Sequence, residues 1–318
     1  MKYATIANTD LNASLVCLGT GSFGSAIPRD ESFKLLDAFA EAGGNFLDTA
    51  HVYAAWLPNG AGMSERTIGA WLKSRGVREK FIVGSKGAHP DLNTMHIPRM
   101  SRAEIAHDLQ ESLERLETDY IDLYWLHRDA PNVPVGEILG ILNEHIAARR
   151  IRAIGCSNWT PQRQREAADY ARQKKVTGFC ASQIGWSLAR ANPESAFGGM
   201  LFADDAALRF HRETGTALAA YSSQANGFFS GKYDRGLPRD KGVLRTYGSE
   251  ENFARLDRVR IVAEKLRRTL NEVALAYVLC QAFPSYAIVG SRTVEQVAAS
   301  CRAADLRLSA EDAKFLEG

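Results

Sequence analysis

The sequence is poor in the features that mark secreted and membrane-spanning proteins. Its five cysteines are scattered, odd in number and without C-x-x-C spacing, which predicts reduced thiols rather than a disulfide framework. No apolar run approaches the roughly 20 residues that a membrane-spanning helix needs. The N-terminal residues also lack the apolar centre of a signal peptide. We therefore expect a cytoplasmic protein.

Neither sign of charge dominates the chain. The 39 basic and 37 acidic residues give a formal net charge of +2, and no basic stripe is present. This balance argues against nucleic acid or an anionic membrane as a partner. The chain also lacks low-complexity tracts and any linker rich in Pro, Gly or Ser. With 45% apolar residues, the sequence predicts one domain over residues 1–318 with a sizeable core.

The chain is rich instead in short apolar runs that alternate with amphipathic stretches. Short β-branched runs are typical of strands that are buried on both faces. Eight such runs occur: Leu15–Leu18, Asn45–Leu47, Phe81–Gly84, Ile121–Trp125, Ile151–Gly155, Gly178–Ser182, Ala217–Tyr221 and Ala287–Val289. Eight strand–helix units in one chain predict an α/β fold, a (β/α)8 TIM barrel. In such barrels the active site lies at the C-terminal ends of the strands.

Helix-start signals stand between several of these runs. Ser101 and Thr269 each begin a capping box with a glutamate three residues later, and Thr160 precedes a proline at a first helical position. Two connections, residues 87–100 and 222–249, are long. Loops of this length are usually functional or disordered, and both follow strand ends, so we expect them over the catalytic face.

A glycine motif after the first predicted strand offers an alternative fold. Gly19, Gly21 and Gly24 match the G-x-G-x-x-G fingerprint of Rossmann domains, and Asp48 ends the next strand. The fingerprint requires its glycines to open a helix directly. Here residues 25–28 intervene, and Asp30 is the predicted helix cap. We favour a barrel loop that passes close to a ligand.

Four polar residues follow consecutive predicted strands. Asp48 and Tyr53 follow the second strand, Lys86 the third and His127 the fourth. A tyrosine is a weak acid, with a pKa of about 10, unless a cation stabilises its phenolate. Lys86 supplies a cation, Asp48 anchors it, and an imidazole orients a carbonyl oxygen. Together these groups predict protonation of the alkoxide that hydride transfer to a carbonyl generates.

These residues and the motifs around them resemble the aldo-keto reductases. The motifs follow the family's order over nearly the whole chain: Asn45-Phe-Leu-Asp48-Thr-Ala-x-x-Tyr53, Gly62-x-Ser64-Glu65, Ser85-Lys86, Ile121-Asp-Leu-Tyr-x-x-His127, Gly155-x-Ser157-Asn158, Gln183, Tyr221-Ser222, Gly231-Lys232 and Gly290-Ser-Arg292. The resemblance implies an NADPH-dependent (β/α)8 barrel. It makes Tyr53 the general acid, tuned by Lys86 and Asp48, with His127 positioning the carbonyl.

The resemblance also implies a site for NADPH or NADP+. Arg292 pairs with the 2′-phosphate, Lys232 faces phosphate, and Trp186 offers its ring to the nicotinamide where the family usually has tyrosine. Gln296 contacts adenine, although Thr293-x-x-Gln296 also fits a plain capping box. The predicted cofactor-binding residues are Gly21, Ser157, Asn158, Gln183, Trp186, Tyr221, Ser222, Gln224, Asn226, Lys232, Gly290, Arg292 and Gln296. Ser223-Gln224 and Ser300 depart from the family pattern.

The substrate is less sharply indicated. Phe23, Trp56 and Trp159 are the predicted apolar walls, and the polar loop 87–100 favours a sugar-like or small polar aldehyde or ketone. No histidine pair has metal-ligand spacing, so we expect no metal. Two alternatives remain: a nucleotide-binding, redox-sensing regulatory module that resembles potassium-channel β-subunits, and a barrel lyase or isomerase that uses Lys86 and His127 as bases.

Overall fold

A computed structural model describes residues 1–318. It contains ten strands: β1 (Tyr3–Thr5), β2 (Asn12–Ser14), β3 (Val16–Gly19), β4 (Phe46–Asp48), β5 (Ile82–Gly87), β6 (Ile121–Leu126), β7 (Ile151–Ser157), β8 (Ala181–Gly185), β9 (Ala217–Tyr221) and β10 (Ser285–Val289). The last eight form a closed parallel barrel in the order β10-β3-β4-β5-β6-β7-β8-β9. The predicted TIM-barrel fold is confirmed.

Helices surround this barrel. They are α1 (Arg29–Glu41), α2 (Met63–Arg75), α3 (Arg102–Leu116), α4 (Val135–Ala147), α5 (Pro161–Lys174), α6 (Asp205–Thr214), α7 (Gly242–Tyr247), α8 (Glu250–Leu266), α9 (Leu270–Leu279), α10 (Val294–Ala303) and α11 (Ala310–Glu317). The predicted capping boxes at Ser101 and Thr269 are present, and Thr160 caps α5 before Pro161. None of these helices is both long and apolar enough to span a bilayer.

The apolar core has two layers. A cluster of 63 buried residues fills the space between barrel and helices, and a separate cluster of 15 fills the barrel interior. Successive side chains of a strand point to opposite faces, so each barrel strand contributes to both layers. The N-terminal hairpin of β1 and β2, which was not predicted, adds Ile6, Leu11 and Ala13 to the interior cluster. It closes the end of the barrel where the strands begin.

The barrel strands extend further than the apolar runs suggested. Lys86 pairs with Trp125 inside the sheet, and β7 continues to Ser157. The sixth barrel strand runs from Ala181 to Gly185 rather than from residue 178 to 182. Backbone pairing continues across polar residues because the ladder hydrogen bonds do not depend on side-chain polarity.

The Rossmann interpretation of the glycine motif is wrong, because the sheet is a closed barrel. Gly24 has φ +72°, and a Cβ there would lie 2.4 Å from Thr67 Oγ1, so this glycine allows a turn packed against α2. Helix α1 begins after Pro28 without a side-chain cap, which places Asp30 in the first turn rather than at the cap. A carboxylate there faces the positive end of the helix dipole.

Four long connections follow barrel strands, after β4, β5, β8 and β9; the one after β4, residues 49–62, carries Tyr53. The one after β5 has no helix, whereas the one after β9 contains a 3-10 helix (Ala225–Ser230) and α7. The connection after β8, residues 186–204, was not predicted and carries only a 3-10 turn (Pro193–Ser195). The connections after β5 and β8 are in contact, since a Cβ at Gly198 would lie 2.8 Å from Met95 Cε.

Candidate active site

Lys86 is the centre of the polar group at the barrel mouth. Its ammonium nitrogen lies 2.6 Å from Asp48 Oδ2, 2.7 Å from the carbonyl oxygen of Thr49 and 2.9 Å from Tyr53 Oη. Lysine has three N–H donors, so all three are used. Lys86 donates to the Tyr53 oxygen, which leaves the hydroxyl proton of Tyr53 free for another acceptor.

Burial and charge compete over the acidity of Tyr53. Burial raises the pKa of its phenol and the Lys86 ammonium lowers it, while Asp48 raises it again; the net direction is upward. Burial also opposes the charge of Lys86, but Asp48 and Tyr53 favour it and the pKa of Lys86 rises. The sequence indicated the lowering by Lys86 but not the larger opposing effect of burial.

His127 completes the group at the end of β6. Its ring lies edge-on to the Tyr53 ring, with centroids 6.0 Å apart. Burial, and then the positive charge of Lys86, lower the pKa of His127 well below its usual range. Its Nδ1 is buried and has no partner. The imidazole is therefore neutral near pH 7, and a neutral imidazole donates one hydrogen bond without transferring a charge.

Two amide side chains link the barrel strands behind this group. Gln183 Nε2 donates to Asp48 Oδ1 at 2.9 Å, so both oxygens of Asp48 are bound. Asn158 Nδ2 donates to the carbonyl oxygen of His127 at 3.3 Å, and Asn158 Oδ1 lies 2.9 Å from Tyr221 Oη. Ser157 Oγ lies 3.0 Å from the Asn158 amide. The structure brings these six residues together as expected, and their polar atoms already bind one another.

The segment that carries Tyr53 is held from behind. Ser64 Oγ lies 2.8 Å from Thr49 Oγ1, and His51 Nε2 lies 2.7 Å from Glu111 Oε2. The buried carboxylate of Glu65 accepts a 2.6 Å hydrogen bond from Ser85 Oγ, next to Lys86. The family-like motif around Ser64 therefore holds the loop that carries Tyr53 and the strand that carries Lys86.

A cleft of about 660 Å³ opens between the ends of β3, β9 and β10. Eight of the predicted cofactor-binding residues line it: Gly21, Ser222, Gln224, Asn226, Lys232, Gly290, Arg292 and Gln296. It adjoins the candidate catalytic group, because a Cβ at Gly21 would lie 3.6 Å from the Tyr53 ring. The full capping box at α10 is absent, since Gln296 Oε1 accepts from the Arg292 N–H while Thr293 caps the helix.

The cleft fits an anionic nucleotide. Lys232 and Arg292 line it, and neither forms an ion pair with a carboxylate. Asn271 and Ser291 also line it, and Asn271 Oδ1 and Ser291 Oγ are buried without a partner. A Cβ at Gly290 would meet nothing within 4 Å, so the backbone there is open to a ligand. Free cations, free polar atoms and exposed backbone are the features that bind phosphate and nucleobase.

Trp186 does not belong to this site, which corrects its predicted role beside the nicotinamide. Gln183 points into the barrel, so Trp186, three residues later, has the opposite orientation. Its ring packs in the outer core, 6.0 Å from the Tyr277 ring and 5.9 Å from the Phe283 ring. Tyr221, at the end of β9, is the aromatic residue that packs against the barrel interior beside Asn158.

Trp159 cannot be a wall of the substrate site either. It is 1% exposed and packs in the outer core, 5.0 Å from the Phe179 ring. Asn158, with φ +61°, turns the chain out of the barrel just before it. Phe23 is buried as well and lines the nucleotide cleft rather than the mouth above Tyr53. Trp56 is 57% exposed in the loop after Tyr53, and its predicted role stays a prediction.

Two residues near the mouth were missed. The His89 ring lies 4.7 Å from the His127 ring, and burial lowers the pKa of His89 to about 4. Arg128, next to His127, folds its guanidinium back onto the carbonyl oxygen of His127 at 2.8 Å. Its position after a strand-end histidine was the only signal in the sequence.

Comparison with known proteins agrees with this geometry. The model of the Aldo/keto reductase family matches residues 15–318. The chain is 28% identical to an uncharacterized oxidoreductase, YrpG, of Bacillus subtilis, over 99% of this chain and 95% of the relative. It is 29% identical to an aryl-alcohol dehydrogenase [NADP(+)] of Phanerodontia chrysosporium, over 96% of this chain and 82% of the relative.

A solved structure agrees over the full length. A crystal structure of the thermostable aldo-keto reductase Tm1743 with the inhibitor epalrestat superimposes with a TM-score of 0.74, at 26% identity, over 100% of this chain and 99% of the other. The relatives favour an oxidoreductase of carbonyl groups over a regulatory module or a lyase. The chain belongs to the aldo/keto reductase family.

Proposed function

We propose that this protein reduces an aldehyde or ketone to the alcohol with NADPH, with Tyr53 as the general acid. The observation that carries the proposal is the contact of Lys86 Nζ with both Tyr53 Oη and Asp48 Oδ2, at 2.9 and 2.6 Å. It joins an acid, a cation and an anchoring carboxylate at the mouth of the barrel. This arrangement stabilises a phenolate only after its proton has been given away.

The reaction divides between cofactor and protein. Reduced nicotinamide nucleotide supplies the hydride to the carbonyl carbon when it is bound. As negative charge develops on the carbonyl oxygen, this oxygen takes the proton of Tyr53 Oη. The Tyr53 phenolate is left beside the Lys86 ammonium. Neutral His127 donates a hydrogen bond to the same oxygen and orients it. In the reverse direction the phenolate is the base that removes the alcohol proton.

The nucleotide would lie in the cleft that adjoins Gly21. Arg292 binds the 2′-phosphate, which favours NADPH over NADH, and Lys232 binds phosphate as a point charge. The buried ends of Ser157, Asn158 and Gln183 face the nicotinamide, and Gln183 has its Oε1 left to accept a hydrogen bond. Because Trp186 faces outward, we assign the ring beside the nicotinamide to Tyr221.

The assignment of Tyr53 is tested by replacing it with phenylalanine. Tyr53→Phe keeps the ring and removes only the transferable proton. We expect kcat for NADPH-dependent reduction of a panel of aldehydes and ketones, sugars included, to fall about hundredfold or more. NADPH binding, followed by fluorescence, should change little. Tyr170→Phe on α5, outside the site, is the matched control. Equal turnover by wild type and Tyr53→Phe would contradict the proposal.

The choice of cofactor is tested at Arg292. Loss of its guanidinium removes a charge-assisted bond to the 2′-phosphate, an atom group that NADH lacks. We expect Arg292→Ala to bind NADPH about tenfold or more weakly, with NADH affinity nearly unchanged. Fluorescence titration of both nucleotides measures the ratio. Arg209→Ala, an exposed arginine on α6, is the control. An unaltered NADPH preference in Arg292→Ala would remove Arg292 from this role.

A further inference from the structure

Arg128 is a half-buried cation at the barrel mouth without an anionic partner. Its Nε donates to the carbonyl oxygen of Gly198 at 2.7 Å and its Nη1 to that of His127 at 2.8 Å. No carboxylate lies within 4.0 Å of its guanidinium. A guanidinium has five N–H donors, so three remain free, including both on Nη2.

Other buried arginines of this protein have a carboxylate partner. Five of them have side chains less than one-fifth exposed and a carboxylate at 2.7–3.4 Å: Arg78, Arg99, Arg115, Arg163 and Arg255. Removing a charge from water without a counter-charge is unfavourable. For Arg128 that cost lowers the pKa, and the negative charges that Tyr221 and Tyr53 carry when ionised offset the effect of burial only in part. A group held in this state is suited to an anion that arrives from outside.

The surroundings of Arg128 fix its position. The loop after β8 covers it, since a Cβ at Gly199 would lie 3.6 Å from Arg128 Cδ, and the loop after β5 touches the same cover at Met95. The carbonyl oxygen of Arg128 accepts a 3.3 Å hydrogen bond from the buried Trp159 indole. Both the backbone and the head group of this arginine are therefore held in place beside His127.

The nucleotide does not account for this cation. Arg128 follows β6, which lies diametrically opposite β10 in the eight-stranded barrel, and β10 leads into Gly290 and Arg292. Arg128 does not line the nucleotide cleft. The charges that face the cofactor phosphates, Lys232 and Arg292, belong to the opposite side of the mouth. An anion that reaches Arg128 is therefore part of the substrate.

We propose that Arg128 binds a carboxylate of the substrate, so that the enzyme prefers carbonyl compounds that carry a carboxylate to the corresponding uncharged compounds. This inference rests on the proposed function and names its substrate class. The carbonyl oxygen lies between Tyr53 and His127, and the carboxylate reaches the free N–H groups of Arg128 on the far side of His127. Arginine suits this task because its planar N–H groups match the carboxylate oxygens.

The test compares acids with their methyl esters. We would measure kcat/KM at pH 7 with NADPH for 2-, 3- and 4-formylbenzoate and their three methyl esters, which vary the distance between the two groups. For at least one pair, wild type should favour the acid about tenfold or more. In Arg128→Met that ratio should approach one, and Arg128→Lys should restore part of it. The ratio is informative even where a variant is less active overall.

The outcomes separate the two proposals. The role of Arg128 is overturned if wild type reduces acids and esters without preferring the acid in any pair. It is also overturned if Arg128→Met retains the preference. Either result leaves the proposed reductase activity standing. No reduction of any compound by wild type overturns the proposed function instead. In that case calorimetry with benzoate and benzamide tests Arg128 alone. Tighter benzoate binding that Arg128→Met abolishes supports it, and equal or absent binding contradicts it.

Discussion

At the scale of the residue, the proposed acid chemistry of Tyr53 depends on Lys86 having only three N–H donors. Its three N–H groups bind Asp48, Tyr53 and the carbonyl of Thr49, so it gives Tyr53 a positive neighbour but accepts nothing from it. The Tyr53 proton therefore points away from Lys86 and is available to a substrate. Gln183 binds the second oxygen of Asp48 and keeps the carboxylate turned toward Lys86.

The pKa directions predict a flat pH profile for the reduction. The pKa of Tyr53 and that of Lys86 are raised, and that of His127 is lowered. All three therefore keep the required protonation state from about pH 7 to 9. We expect kcat/KM for reduction to be nearly constant over this range and the reverse oxidation to rise with pH. A steep loss of reduction above about pH 8 would contradict the raised pKa of Tyr53.

Removing the cation is the sharper test at this scale. In Lys86→Met, burial and Asp48 both oppose the phenolate, and only the smaller effect of the Arg128 charge offsets them. We expect kcat for reduction to fall about hundredfold or more. The matched control is Lys80→Met, because Lys80 is exposed and lies outside the site. Comparable loss in both variants would mean that the effect is not specific to the contact with Tyr53.

At the scale of the element, the contact between α2 and α3 supports the site from outside the barrel. Glu65 on α2 accepts from Ser85 Oγ beside Lys86, and Arg115 on α3 lies 3.3 Å from the other oxygen of Glu65. The two helices approach closely at Gly69. A Cβ there would lie 2.6–2.7 Å from the backbone of Arg115 and Leu116.

Two glycine substitutions with opposite expected signs test this packing. Gly69→Ala forces the helices apart against backbone atoms that cannot rotate away, and should lower the free energy of unfolding by about 1–3 kcal/mol. Gly140→Ala on α4 meets nothing within 4 Å and should raise it by about 0.5–1 kcal/mol. Urea denaturation measures both. Stabilisation by Gly69→Ala would show that the helices are not in close contact there.

At the scale of the whole molecule, three buried histidines make the fold sensitive to acid. Burial lowers the pKa of His127 well below its usual range, that of His89 to about 4 and that of His211. In the unfolded chain each has a pKa of about 6.5. The unfolded state therefore binds more protons below that pH. The corresponding stability is present above about pH 6.5 and is lost as the pH falls toward the folded pKa values.

We expect the free energy of unfolding to be lower at pH 5 than at pH 7, because all three histidines take up protons on unfolding. Urea denaturation at the two pH values measures this difference. His89→Gln should reduce the difference by about 1–2 kcal/mol, because one of the groups that takes up a proton on unfolding is gone. His96→Gln, an exposed histidine in the same loop, should leave it unchanged. Equal free energies of unfolding at pH 5 and pH 7, in both wild type and His89→Gln, would contradict the conclusion that these histidines are buried and neutral.

The sequence determined the barrel and the candidate catalytic group. Each of the eight buried strands is a short apolar run, which can be recognised from adjacent residues in the sequence. Asp48, Lys86 and His127 lie at or just past the ends of adjacent strands. Parallel strands bring their C-terminal ends to one edge. The four residues Asp48, Tyr53, Lys86 and His127 could therefore be assembled without knowledge of the packing.

Only the tertiary structure decided which way the aromatic residues face and what the polar groups bind. The sequence placed β8 three residues too early. Because side chains alternate sides with each residue of a strand, that placement left the orientation of Trp186 undefined. Gln183 and Asp48 are 135 positions apart, and no local pattern announces their contact. The missing partner of Arg128 is likewise a property of three-dimensional surroundings. Which charges lack a neighbour depends on every loop that packs around them, and a linear sequence does not contain that information in local form.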